Sequence, residues 1–160
     1  MYKLLFDSDA LIKIAKIGLL SEVTGSFDVV ITEEVYGEAV TEGKKRLYED
    51  ADEIENCINL GQIKVTRKKH ESKIDKTFGK GETSVLQAYD KGNIIMTDDL
   101  NFASYLLKEN IRNLSSAHLI VILLKKKKLG INEANSFLER LKQYIRKELY
   151  NLVKSELKGE

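Results

Sequence analysis

Along this chain, short apolar runs alternate with stretches whose apolar positions fall three and four residues apart. Lys3 to Phe6 is a brief run that stops at Asp7. Apolar residues then recur at 11, 14 and 15, and again at 12, 15 and 19, which is helix spacing, with Gly18 near the end. This predicts strand, tight turn, helix, with Asp7 at the carboxyl end of the strand. Phe27 to Ile31 is a second strand run, and Thr32-Glu33-Glu34 opens a helix, with Thr32 as cap and acids where the helix dipole favours them. Val35, Ala39 and Val40 of that helix are expected in the core. Leu47, Ala51, Ile54 and Ile58 predict a longer helix ending near Gly61, and Gln62 to Thr66 a third strand.

Residues 67–80 are basic with little apolar content and read as an exposed connection. Gly79-Lys80-Gly81-Glu82-Thr83 starts another helix. Ile94 to Thr97 is a fourth buried strand that stops at Asp98-Asp99, before a helix from Leu100 to about Lys108. Ile111 to Leu114 is a short fifth strand. Two helices close the chain, Ser116 to about Lys128 and Asn132 to about Ser155; Ala134, Leu138, Leu141, Ile145, Leu149 and Leu152 form one stripe of the second.

Strands alternating with helices predict an α/β fold: a mostly parallel sheet of about four or five strands, covered by helices on both faces, with a helical extension over about 131–156. The 160 residues suit one domain, 1–160, with a real core. A hydrophobic fraction of 42% with 32% charged residues is that of an ordinary soluble protein. The longest apolar run, Leu119 to Leu124, falls far short of the ~20 residues that span a bilayer. Asp7, Asp9, Lys13 and Lys16 interrupt any signal-peptide layout, so a cytoplasmic location and no membrane partner are expected. The single cysteine, Cys57, cannot form an internal disulfide and sits among Ile54, Ile58 and Leu60 as a core residue. The net charge of +1 hides basic runs at 44–46, 67–70 and 125–128, which read as solvated faces unless the partner is a polyanion.

The candidate chemistry lies in acids singled out by place. Asp7 and the Asp98-Asp99 pair end two apolar strands, Glu38 lies in the helix after the second strand, and Glu82 starts a helix behind two glycines. Glu33 and Glu34 read as capping residues. In a doubly wound sheet, strand ends and adjoining helix starts converge on one rim. Oxygen donors without histidine or cysteine favour Mg²⁺ or Mn²⁺ over zinc, and suit metal-assisted attack of water on a phosphate ester. Each acid alone could be only a cap; it is the set, in this order, that favours a site. His118 on an apolar helix reads as half-buried and His70 as solvent-facing, neither as a ligand.

Leu4-Leu-Phe-Asp-Ser-Asp-Ala-Leu-Ile12, Ile31-Thr-Glu-Glu-Val-Tyr-Gly-Glu38, Gly79-Lys-Gly-Glu82 and Ile94-Ile-Met-Thr-Asp-Asp-Leu-Asn-Phe102 resemble the successive motifs of PIN-domain ribonucleases. The likeness is greatest to a toxin-like branch in which Gly-x-Gly-Glu supplies the third acid, and Ser115 through Gly130-Ile131 resembles that branch's closing helices. The resemblance implies a Rossmann-like PIN fold and a Mg²⁺- or Mn²⁺-dependent endoribonuclease acting on RNA. It implies that Asp7, Glu38 and Glu82 bind metal, with Asp99 as the fourth acid and Asp98 the alternative. Ser8 and Thr97 would support these carboxylates by hydrogen bonding. New 5′-phosphate and 3′-hydroxyl ends, a cognate antitoxin and a homodimer are further implications. The chain departs from the branch at Asp9, where many relatives have a small polar residue, and at Asn101 to Ser104, which offer no basic residue.

Two other readings compete. A haloacid dehalogenase-type phosphatase would use Asp7 as nucleophile and Asp9 as acid/base, but Ala10-Leu11 stands where that family has Gly-Thr, and Glu38 and Glu82 are left without roles. A non-catalytic PIN domain would bind RNA or protein without cutting.

Overall fold

The computed structural model describes residues 2–67, 69, 70 and 78–159. Strand β1 (Lys3–Phe6) turns at Asp7 into helix α1 (Ser8–Lys16), and α2 (Leu20–Ser26) leads to β2 (Asp28–Thr32). The next helical arm has three parts: α3 (Glu33–Tyr36), a π-helical turn at Gly37–Thr41, and α4 (Glu42–Lys45). Helix α5 (Glu49–Asn59) precedes β3 (Ile63–Thr66). Beyond the connection come α6 (Lys80–Ala88), β4 (Asn93–Met96), α7 (Leu100–Lys108) and β5 (Asn113–Leu114). Helices α8 (Ser116–Lys125), α9 (Ile131–Leu141) and α10 (Lys147–Lys158) close the chain, with a 3-10 turn at Lys142–Tyr144 between the last two.

The strands form one parallel sheet in the order β3-β2-β1-β4-β5. Leu4 pairs with Val29 on one side and Ile94 on the other, and Leu5 with Val30 and Ile95. Leu4, Leu5 and Phe6 are all buried, as a central parallel strand covered on both faces requires. The chain winds outward from β1 to β3, then returns to place β4 on the other side of β1. The winding therefore reverses between β1 and β4, and at such a switch point the departing loops separate and leave a crevice at the carboxyl ends of the strands. Asp7 and Asp98-Asp99 follow the two strands that border this crevice.

Three expectations need correction. Leu47 is not part of the α5 core stripe: it is 89% exposed and sits at φ +59° in the turn before the helix. A Cβ added at Gly43 would meet the Ala51 Cβ at 2.8 Å, so α4 and α5 pack backbone-close, and the turn joining them swings Leu47 outward. The final amphipathic stretch is not one helix. Ile145 is extended (φ −123°, ψ 164°), and α10 restarts with Leu149, Val153 and Leu157 buried while Leu152 is 53% exposed. The α8 helix ends at Lys125, ahead of the expected Lys128, and Lys127 takes a positive φ of 58° in the turn that follows. Within the 67–80 connection, residues 68 and 71–77 lie outside the described residues. Among the described residues no helix is long and apolar enough to cross a membrane. The first two basic runs are largely paired with acids: Lys44 with Glu55 at 2.6 Å, Lys45 with Glu42 at 3.3 Å, Arg67 with Glu33 at 2.6 Å and Lys69 with Glu34 at 3.2 Å.

Candidate active site

At the end of β1 the Asp7 N–H donates to the Met96 carbonyl at 3.0 Å, carrying the sheet ladder one residue past the strand. The Asp7 side chain then caps α1, its Oδ1 accepting the Ala10 N–H at 2.8 Å. The residue is 5% exposed, and burial pushes its carboxyl up to about 7. Hydrogen bonds from Thr97 and from the Ala10 N–H oppose that rise, while Asp9 and Asp98 add to it. Desolvation therefore dominates, and the two hydrogen bonds do not offset it.

Glu38 arrives by an uncommon local structure. Val35, Ala39 and Val40 are all buried, and between the first and the last of them the helix widens into the π turn at Gly37–Thr41. The wider turn carries Glu38 to the rim of the crevice, where its Oε2 accepts the Ser8 hydroxyl at 2.6 Å. Gly81 lies against it; a Cβ there would sit 2.5 Å from Glu38 Oε1. One residue on, Glu82 accepts the Gly79 N–H at 3.2 Å. Burial raises the Glu82 pKa first; the Gly79 N–H works against this, and Asp99 and Glu38 push further upward.

The paired acids after β4 differ in their surroundings. Asp98 accepts two bonds from Ser116, the N–H at 2.7 Å and the hydroxyl at 2.6 Å, and lies 3.3 Å from Lys13 Nζ. Its side chain is 3% exposed. Asp99 is exposed; its Oδ1 caps α7 by accepting the Phe102 N–H at 2.7 Å, and Thr97 Oγ1 accepts the Asp99 N–H at 3.2 Å. Asp98 is thus tied into the scaffold, and Asp99 keeps an oxygen without a hydrogen-bond partner among the described residues.

Asp7, Ser8, Glu38, Glu82, Asp98 and Asp99 line one cleft of about 430 Å³, together with Asp9, Lys80 and Arg146. Thr97, 2% exposed, adjoins it through its hydrogen bond to Asp7. The histidines stay outside this cleft: His118 is 3.4 Å from Glu156, and His70 is 2.8 Å from Asp90. Sequence reasoning passed over Lys13 and Arg146. Burial lowers the Lys13 pKa, but its bond to Asp9 at 2.8 Å and its contact with Asp98 together outweigh that and leave the pKa raised. The position four after Asp9 was a readable hint for that pair. Nothing in the pattern marked Arg146, because the apolar stripe runs unbroken through the place where the helix stops.

Among the described residues no three His, Cys, Asp or Glu side chains stand close enough together to cage one ion as they are. The donor chemistry nevertheless fits a hard divalent cation. Every ligand candidate is a carboxylate oxygen, and burial with like-charge crowding raises both Asp7 and Glu82.

A parallel sheet of this order with a carboxylate-lined crevice at its switch point defines a Rossmann-like α/β protein. The family model DUF3368, a PIN domain, matches residues 3–159, and the chain belongs to the PIN-domain family. PIN domains are generally nucleases, hydrolases that typically use divalent metal ions. No curated protein and no solved structure matches the chain.

Proposed function

We propose that this protein is a Mg²⁺- or Mn²⁺-dependent endoribonuclease that hydrolyses RNA phosphodiester bonds in the crevice between β1 and β4. The convergence of Asp7, Glu38, Glu82 and Asp99 on one cleft is the observation that carries this reading. These four carboxylates would hold the metal, and Asp98 would hold the wall through Ser116 and Lys13. A bound divalent ion supplies Lewis-acid polarisation of the phosphate and a water of lowered pKa. The chain's own residues prepare the place: Ser8 fixes the Glu38 carboxylate, Thr97 bonds both Asp7 and the Asp99 N–H, and Gly81 leaves the room that Glu38 occupies.

The expected products carry 5′-phosphate and 3′-hydroxyl ends. A toxin-like role, with a cognate antitoxin, a homodimer and a cytoplasmic setting, belongs to this proposal on the strength of the sequence motifs. The phosphatase alternative has less support. Its acid/base, Asp9, is 65% exposed and held by Lys13 at 2.8 Å, and it leaves Glu38 and Glu82 unused. Incubation of purified protein with mixed single-stranded RNA and, separately, a phosphate monoester decides between them. The proposal expects RNA fragments that can be ligated through their new 5′-phosphates and no monoester turnover. Monoester turnover without RNA cutting supports the phosphatase.

A further inference from the structure

The break before α10 sets Arg146 at a junction of two depressions. One is the carboxylate cleft; the other, of about 380 Å³, continues past Asp98 and Asp99 under α8 and α10. Both are lined by Asp98, Asp99 and Arg146. Arg146 is exposed, and its guanidinium makes no hydrogen bond or ion pair among the described residues, although acids line the same cleft. Arg146 is the N-cap residue of α10 through its backbone, and its side chain makes no capping bond. A free guanidinium beside a nuclease site matches one partner class well, because its planar fork bonds phosphate oxygens in pairs.

The second depression has a different character. Its lining combines Leu149 and Leu152, the latter 53% exposed, with Asn113, Ser115 and His118. His118 is held in place, with its Nδ1 2.9 Å from Ser115 Oγ and its Nε2 3.4 Å from Glu156. A cleft that combines leucine side chains, an imidazole and polar groups suits a splayed nucleobase, whose face packs against the apolar side chains or the His118 ring and whose edges offer hydrogen bonds.

We infer that Arg146 binds an RNA phosphate at the mouth of the carboxylate cleft and that the groove beside it, walled by Leu152 and His118, holds a neighbouring base of a single strand. This rests on the ribonuclease reading for the strand's purpose, but the binding site is defined by its own residues. Arg146 is a substrate-binding residue here, and the restart of the helix at Lys147 is what puts it there.

Binding and cutting test it separately. Anisotropy of a short fluorescein-labelled RNA of random sequence is followed across a salt series, in an Asp7→Asn background that prevents cleavage. Arg146→Ala is expected to weaken binding about tenfold, as loss of a charge-assisted contact would. The salt slope should fall by about 0.7, the value for one single-strand phosphate. Arg146→Lys should retain the slope, and Leu152→Ala should weaken binding with the slope unchanged. Melting temperatures of all variants should match the parent, since neither side chain is buried. Unchanged affinity and slope in Arg146→Ala, or no RNA binding by the parent, overturns the inference. Wild-type cleavage with unaltered KM in Arg146→Ala also overturns it while leaving the nuclease intact. Arg146-dependent binding without any cleavage by wild type retains the groove and removes the nuclease reading.

Discussion

A Cβ built on Gly81 would stand 2.5 Å from Oε1 of Glu38, a residue 43 positions earlier (81 − 38) on a different helical arm. The glycine and the glutamate occupy one space, and only the smaller side chain allows the larger one its position. Gly81 has an ordinary negative φ, so an alanine there meets no backbone strain and even gains helix propensity. The effect falls on the carboxylate.

Gly81→Ala is therefore expected to fold with stability within about 1 kcal/mol of wild type. It should lose about tenfold or more in metal-dependent cleavage, as a site displaced by a fraction of an ångström does. Thermal melts and cleavage rates measured together check this. Equal activity in the variant would show that the Glu38 position is unimportant.

Asp7 links the cleft to pH. Its folded-state carboxyl titrates near 7 against an ordinary 3.8, so between those values the folded protein holds a proton that the unfolded chain has released. Stability must then fall as pH rises through that window, and the full penalty is in place above about 7. Asp7→Asn keeps an acceptor for the Ala10 N–H and removes the charge. The variant should be the more stable form of the metal-free protein above pH 7, by on the order of 2–4 kcal/mol, and nearly equal to wild type near pH 4. Urea melts across that range test it; a gap that ignores pH contradicts it.

The two acids after β4 should separate by phenotype. Asp98→Ala leaves the Ser116 N–H without its acceptor and Lys13 without one of its partners, a loss of about 2–4 kcal/mol. Asp99→Asn preserves the α7 cap, costs under about 1 kcal/mol, and should abolish cleavage. Denaturant melts paired with an RNA assay check both. Full activity in Asp99→Asn would move the fourth ligand to Asp98.

How much of this could be read from the sequence depends on how local each cause is. Asp7 and the Asp98-Asp99 pair were visible because an apolar run that ends at an acid is a local signal, and strand ends are where open parallel sheets gather ligands; the choice of Asp99 over Asp98 came only from the family resemblance. The capping role of Thr32 was equally local, and its hydroxyl accepts the Val35 N–H at 3.1 Å. Glu38 could be named but not placed, since its approach needs a π turn and the absence of a Cβ on another helix. Leu47 keeps the spacing of the α5 stripe, but the tight α4–α5 contact interrupts that stripe and leaves it exposed. Arg146 was invisible for a similar reason. Ala134 through Leu149 keep helix spacing across a helix break, so periodicity joins two helices that the extended Ile145 divides.

The most direct measurement is the rate of RNA cleavage by wild type and by Asp7→Asn as Mn²⁺ is titrated from an EDTA-treated start. The account predicts no cutting in EDTA, saturable recovery with Mn²⁺ for wild type, and no recovery for the variant although it remains folded. Cleavage that persists in EDTA, or that survives Asp7→Asn at saturating metal, would contradict a carboxylate-held metal as the centre of this protein's chemistry.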